Sequence, residues 1–249
     1  MKVLDLVQKA VGISSTDGLK ELAKASIASL GSWEFTRRRE RATVLDRPSW
    51  RNINYKALGL AGDGKLLLNP SDLGFSREFY AYRFREPLNT FTIFKTIEKK
   101  NPVILDIGSN LGYFPLFELE AGAKHVIGVE PVPSTFAFLS RTLEDFKNVT
   151  LFNMAISDKD EDLKLYVSNN YNVTSSSRSL VTSSGHKIVK EITIKATPIL
   201  AITKQYPISM VRMDVEGHEY LILKGNIPNQ ITTIFIELHI IPPYSKINA

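Results

Sequence analysis

Near the carboxyl end of the 249-residue chain, "RMDVEGHEY" brings Asp214, Glu216 and Glu219 within six residues, and "IELHIIPPY" adds Glu237 and His239. Carboxylates grouped in this way can bind substrate hydroxyls or a cation, or serve as a general base, and an imidazole beside them can take a proton from a hydroxyl near neutral pH. Asp214 and Glu216 share a side if strand geometry persists between them, whereas Glu219 is explained equally well by the dipole of the helix it opens. The sequence predicts His239 as the base, Asp214 as the next choice, and Glu216 as the group that orients the acceptor.

A second constellation lies in "VILDIGSNLGYF" at 103–114. A turn from a buried strand into a helix presents free backbone N–H groups, and Gly108 and Gly112 would let a ligand approach closely. A dinucleotide fold would show G-x-G-x-x-G here, aiming a pyrophosphate at the helix. This turn lacks the middle glycine and carries Asp106 two residues ahead. A carboxylate there repels a pyrophosphate and attracts the cationic methionine end of S-adenosylmethionine. Glu130 ends the next strand 22 residues after Gly108, where such folds place an acid against the ribose hydroxyls. Ala155, in "NMAISD" at the end of a third strand, falls beside the adenine edge.

These residues need strands and helices in a set order. "VILDIG", "HVIGVEP", "VTLFNMAIS", "SMVRMDVEG" and "ITTIFIELHI" read as strands, the first a continuous apolar run suited to burial on both faces. Between them, "YFPLFELEAGA" is a helix that Gly122 can end, and "STFAFLSRTLEDF" is a helix that Ser134 can cap. Strand, helix, strand, helix, strand over about 55 residues is the pattern of crossover units in a parallel sheet. The fold class is α/β. "LKLYV" and "HKIVKEITIKA" add two strands around "SNNYNVTSSSRSLVTSSG", which reads as a mobile loop over the site. Upstream, residues 1–30 suggest two amphipathic helices, "NYKALGLAGDGKLLLNP" a small hairpin, and 88–99 another helix.

The apolar share of 43% is that of an ordinary soluble globule with a sizeable core. Without cysteine, disulfides and thiolate chemistry are excluded, and no metal is assigned. No stretch has the length of a membrane span, and Asp5 interrupts what a signal segment would need, which points to the cytoplasm. The net charge is only +5, and Arg37, Arg38, Arg39 and Arg41 form its one concentrated run. That run could meet nucleic-acid phosphates, but a solvated helix face accounts for it, as core anchoring accounts for the flanking Trp33, Phe35 and Trp50.

"ILDIGSNLGYF", "VIGVEPVPSTFAFL", "NMAISD", "RMDVEGHEYLILKG" and "FIELH", in this order and spacing, resemble the FkbM family of S-adenosylmethionine-dependent methyltransferases over residues 85–239. The resemblance implies a Rossmann-like class I methyltransferase sheet, mostly parallel. It implies that Asp106, Gly108, Asn110, Gly112 and Glu130 bind the methyl donor, joined by Glu86 of "REP", and that "DVEG" supplies Asp214, Glu216 and Gly217. It also implies O-methylation of a hydroxylated small molecule or glycan. An RNA methyltransferase using the arginine run, or a non-catalytic domain that binds the donor, are the alternatives.

Residues 1–84 fall outside the resemblance and read as a helical and hairpin extension, with 85–249 as the methyltransferase domain. The extension's amphipathic helices offer a face for forming a homo-oligomer. Only ten residues follow His239, so the expectation is either a fragment of a longer chain or a sheet cut short of the helix and antiparallel pair that usually close it.

Overall fold

A computed structural model describes residues 47–72, 74–168, 174–183 and 185–239. The two N-terminal helices, the arginine run with Trp33 and Phe35, and the residues after His239 lie outside them.

Five strands form the central sheet: β3 (Val103–Ile107), β4 (His125–Val129), β5 (Val149–Phe152), β10 (Met210–Met213) and β11 (Thr233–Ile236). Their order is β11-β10-β3-β4-β5 and every pairing is parallel. Each residue of β3 is buried, so alternate side chains feed two cores. Ile104, Val126 and Met210 face one core, with Ile93 and Phe94 of α2 (Pro87–Lys100), Phe117 of α3 (Tyr113–Glu120) and Leu139 of α4 (Pro133–Thr142). Leu105, Ile127 and Val211 face the other, with Ile199 and Ile202 of α6 (Ile199–Thr203) and Ile222 of α7 (Glu219–Lys224). Helices on both faces of a parallel sheet confirm the α/β class and give it a class I methyltransferase-like form.

The first core continues into the upstream segment. There β1 (Ser49–Asn52) pairs antiparallel with β2 (Lys65–Leu68), and α1 (Phe75–Tyr82) follows. Tyr55, Leu66, Leu68 and Phe79 belong to the same buried cluster as Tyr113 and Phe117. The Tyr55 hydroxyl also donates to Glu120. The hairpin expected within "NYKALGLAGDGKLLLNP" is corrected: only β2 lies in that segment, its front half forms a short 3-10 turn at Tyr55–Leu58, and the partner strand β1 lies upstream of it.

Four further local expectations need correction. The third strand is broken: the chain leaves β5 at Phe152 and enters β6 (Ala155–Ser157), which pairs with β9 (Ile188–Pro198) in a second sheet of order β6-β9-β7-β8. That sheet includes β7 (Glu161–Ser168) and β8 (Thr174–Ser175). At the break, Asn153 Nδ2 donates to the carbonyls of Glu130 and Pro131 at 2.8 and 3.1 Å, replacing strand pairing with a side-chain clasp. The polar stretch after β7 is not all loop, because β8 and α5 (Arg178–Ser183) form within it, anchored by the fully buried Val181. Ser134 does not cap α4, since Pro133 takes its first turn and Val132 stands at the cap. Finally, β10 ends at Met213, so strand geometry does not carry through Asp214 and Glu216.

Candidate functional site

The turn after β3 is held almost entirely by its own backbone. Gly108 and Ser109 both donate their N–H to the Val129 carbonyl, at 2.9 and 3.0 Å, and Gly112 donates to Ser109 O at 3.0 Å. The free N–H groups expected there are therefore spent, and nothing at these three positions is left to cradle a pyrophosphate. The glycines serve packing instead. At Gly108, with φ +84°, a Cβ would stand 2.0 Å from the Asp214 carbonyl oxygen, and at Gly112 one would press on Leu139 and Thr142 of α4. Gly108 still borders the cleft described below, whereas Gly112 does not.

Glu130 closes this turn from the end of β4. Its Oε2 accepts from the Asn110 N–H at 3.0 Å and its Oε1 from the Val132 N–H at 2.9 Å, so each oxygen keeps a lone pair. Burial pushes its carboxyl up to about 7 despite those two donors. Asn110 is in the left-handed region at φ +51°, which brings its N–H to that carboxylate.

Asp106 does not reach the cleft. Strand register sets it beside Arg212 on the first core face, where it is fully buried. Arg212 Nη1 lies 3.4 Å from Asp106 Oδ2 and 3.3 Å from Gly108 O, its Nη2 lies 3.3 Å from Asp214 Oδ2, and its guanidinium covers the Phe114 ring at 3.9 Å. Burial works against the Arg212 charge, but the two aspartates outweigh it and hold its pKa above the ordinary value. Behind Asp106 is Glu118, also fully buried. Burial and then the neighbouring Asp106 raise its pKa, and neither of its carboxyl oxygens has a hydrogen-bond partner among the described residues. The predicted donor contact of Asp106 is thus corrected: its charge is consumed by Arg212, and the arginine forms the cleft wall.

The turn after β10 is built from side chains. Glu219, almost fully buried, accepts from the backbone N–H of Gly217 at 3.0 Å and of Val215 at 3.4 Å. It also meets His239 Nδ1 at 2.9 Å. Glu216 sits at φ +53°, its carbonyl accepting from Ser175 of β8 at 2.6 Å and its Oε2 3.3 Å from His239 Nε2. His218 Nδ1 and Nε2 pair with Ser176 and Ser157 at 2.9 and 3.0 Å, tying the same turn to the second sheet.

Charge follows this geometry. The bond to Glu219 raises His239 to about 9 against its burial, so at neutral pH it is an imidazolium between two carboxylates. It also stands behind Glu216 rather than on the cleft wall. The expectation that His239 takes a proton is corrected on both grounds. Glu216 lines the cleft, and burial followed by the nearby Asp214 lifts its carboxyl to about 7, close to the optimum for a base at neutral pH. Burial likewise raises Asp214, against the pull of Arg212.

One cleft of about 1040 Å³, counting its open mouth, runs across these strand ends. Gly108, Asn110 and Glu130 border one part, Ala155 with Met154 and Ile156 the next, and Glu86, Asp214 and Glu216 another. Glu86, at φ +41° just before α2, is steadied by Asn89 Nδ2 at 3.0 Å. Of the eleven residues predicted for the site, Asp106, Gly112, Gly217 and His239 are off the wall. Sequence reasoning passed over Arg212, Glu118 and Asn153. The first two carried a signal, a charge within a run otherwise apolar, since such a charge must have a buried partner.

A family model described as the methyltransferase FkbM domain matches residues 106–246. No curated protein matches the chain. Among solved structures, a methyltransferase of Podospora anserina with S-adenosylhomocysteine bound is 22% identical at TM-score 0.26, covering 28% of this chain and 32% of its own. A Pyrococcus horikoshii protein named as an RNA methyltransferase is 26% identical at TM-score 0.25, covering 28% and 39%. An S-adenosylmethionine-dependent methyltransferase named from Listeria monocytogenes is 20% identical at TM-score 0.23, covering 27% and 31%. The chain thus spans about a third of the length of these structures, and overlaps this small carry no argument about its site. No described helix is long and apolar enough to cross a membrane.

Proposed function

Because the chain belongs to the FkbM methyltransferase family, whose methyl donor is S-adenosylmethionine, we propose that it methylates a hydroxyl group on a small molecule or saccharide. One observation carries this reading: Glu130, on the donor side, and Asp214 and Glu216, on the acceptor side, border the same cleft.

The residues fit the donor. Glu130 keeps one lone pair on each oxygen for the ribose hydroxyls, Met154, Ala155 and Ile156 offer an apolar flank for adenine, and Glu86 supplies negative charge for the methionine end. When bound, S-adenosylmethionine supplies an electrophilic methyl on a sulfonium, displaced in line by the acceptor oxygen. The chain's own work is to hold that oxygen and take its proton. Glu216 takes the proton. His239 acts through Glu216, fixing it from behind as a positioning residue with Glu219 in turn fixing His239. The described residues before 85 share a core with the residues that follow, and Phe75 among them borders the cleft, so acceptor selection by this upstream part rests on that wall.

A panel of hydroxylated saccharides and small molecules, screened by mass spectrometry for products heavier by one methyl, tests the reading. O-methylated products that Glu216→Gln makes far more slowly support it. Transfer only to RNA or only to amines overturns it.

A further inference from the structure

We propose that Asp214, Glu216 and His239 form a binding site for a divalent first-row metal ion of the Mn²⁺ class, placed to hold the acceptor oxygen. The ion's role rests on the methyl-transfer reading above. Its existence does not.

Each of the three residues offers one ligand atom, and these atoms all lie within 4.8 Å of one another. Two carboxylate oxygens and an imidazole nitrogen suit Mn²⁺, Fe²⁺ or Zn²⁺ better than Mg²⁺ or Ca²⁺, which favour oxygen alone. A compact donor set could still be three groups that happen to meet, so what stands behind them matters. Asp214 gives one oxygen, Oδ2, to Arg212 at 3.3 Å, and its other, Oδ1, is buried with no hydrogen-bond partner among the described residues. A buried carboxylate oxygen left bare is costly unless something outside the chain fills it.

His239 is prepared in the same way. Glu219 Oε1 holds its Nδ1 at 2.9 Å, and Glu219 is itself fixed by the Gly217 and Val215 N–H groups, so Nε2 is the nitrogen turned toward Glu216. A carboxylate on the far nitrogen of a histidine is the arrangement that orients an imidazole toward a metal. Arg212 on Asp214 and Glu219 on His239 therefore occupy the outer positions, and the inner atoms are left to converge. Asp214 and Glu216 open onto the cleft, so a ligand on the ion would reach the donor's side.

Binding would release the proton from His239 Nε2 to solvent. The acceptor hydroxyl would then join as a further ligand and become more acidic. A Glu216 that held the ion through one oxygen would keep its other to take the hydroxyl proton as the methyl bond forms.

Titration of the full chain with Mn²⁺ after chelator treatment, followed by electron paramagnetic resonance, tests the site. S-adenosylhomocysteine binding is measured on the same samples. The expected result is one Mn²⁺ bound per chain, weakened about 10- to 100-fold by Glu219→Gln and at least as much by His239→Asn, with S-adenosylhomocysteine still bound by both variants. Glu216→Gln, at a partly exposed position, gives a third reading if a buried change disturbs folding. Wild-type chain that binds S-adenosylhomocysteine but no Mn²⁺, or Mn²⁺ binding unchanged in all three variants, overturns the proposal. Wild-type chain that binds Mn²⁺ and loses it in the variants while never binding S-adenosylhomocysteine upholds the ion site and removes the donor reading instead.

Discussion

The turns after β3 and β10 leave neighbouring strands at the same edge of one sheet, yet they are made of different material. The first is backbone, a loop whose N–H groups are consumed by Val129 and Glu130, with glycine where its chain meets the other turn. The second is side chains, with Arg212 paired to Asp214 and His239 paired to both Glu216 and Glu219. A cup fixed mainly by main-chain hydrogen bonds and closed by a single acid suits a constant ligand such as a methyl donor. A charge cluster changes its proton count with its occupant, which suits a position where a proton must leave. Arg212 joins the two, reaching Gly108 O on one side and Asp214 on the other.

The strongest way to break that contrast is to disturb the contact between the turns. Gly108→Ala places a methyl against the Asp214 carbonyl at a positive φ, and is expected to cost more than about 4 kcal/mol in urea denaturation. Arg212→Leu leaves Asp106 and Asp214 without their cation and is expected to cost about 3–5 kcal/mol. Glu216→Gln separates the turns by function, lowering kcat by about 10²- to 10⁴-fold in steady-state assays. Glu130→Gln acts on the other side, weakening S-adenosylhomocysteine about 10- to 100-fold in calorimetry.

The smallest expected effect lies away from both turns. Burial raises Glu120 from 4.5 to about 7. An acid raised by folding contributes stability that is present below its unfolded value and lost as pH rises through the folded one. Thermal melting should therefore show stability falling between about pH 4.5 and 7, and Glu120→Gln should make that fall shallower.

The sequence and the structure agree best where a residue's place follows from chain order. Glu130 was legible because a parallel unit delivers the end of its second strand beside the first turn. Asp106 was misread because its side depends on which face of β3 receives it. Strand parity turned it toward α3 and Arg212 rather than the cleft. His239 was rightly drawn to the acids of the β10 turn, but its role depended on which nitrogen met which carboxylate, a matter of ångströms that residue types do not carry. The two long strands of the second sheet, β7 and β9, were legible, but β6 was not, because the apolar run through Phe152 and Ile156 looks like one strand, and the clasp of Asn153 that divides it has no pattern of its own.

The central claim is that one turn holds the donor and the other serves the acceptor. Its most direct test is calorimetric titration of S-adenosylhomocysteine into the wild-type chain, Glu130→Gln and Glu216→Gln side by side. The division of labour predicts tight binding to the wild type, clear weakening in Glu130→Gln, and wild-type affinity in Glu216→Gln. Equal weakening in both variants, or none in Glu130→Gln, would contradict it.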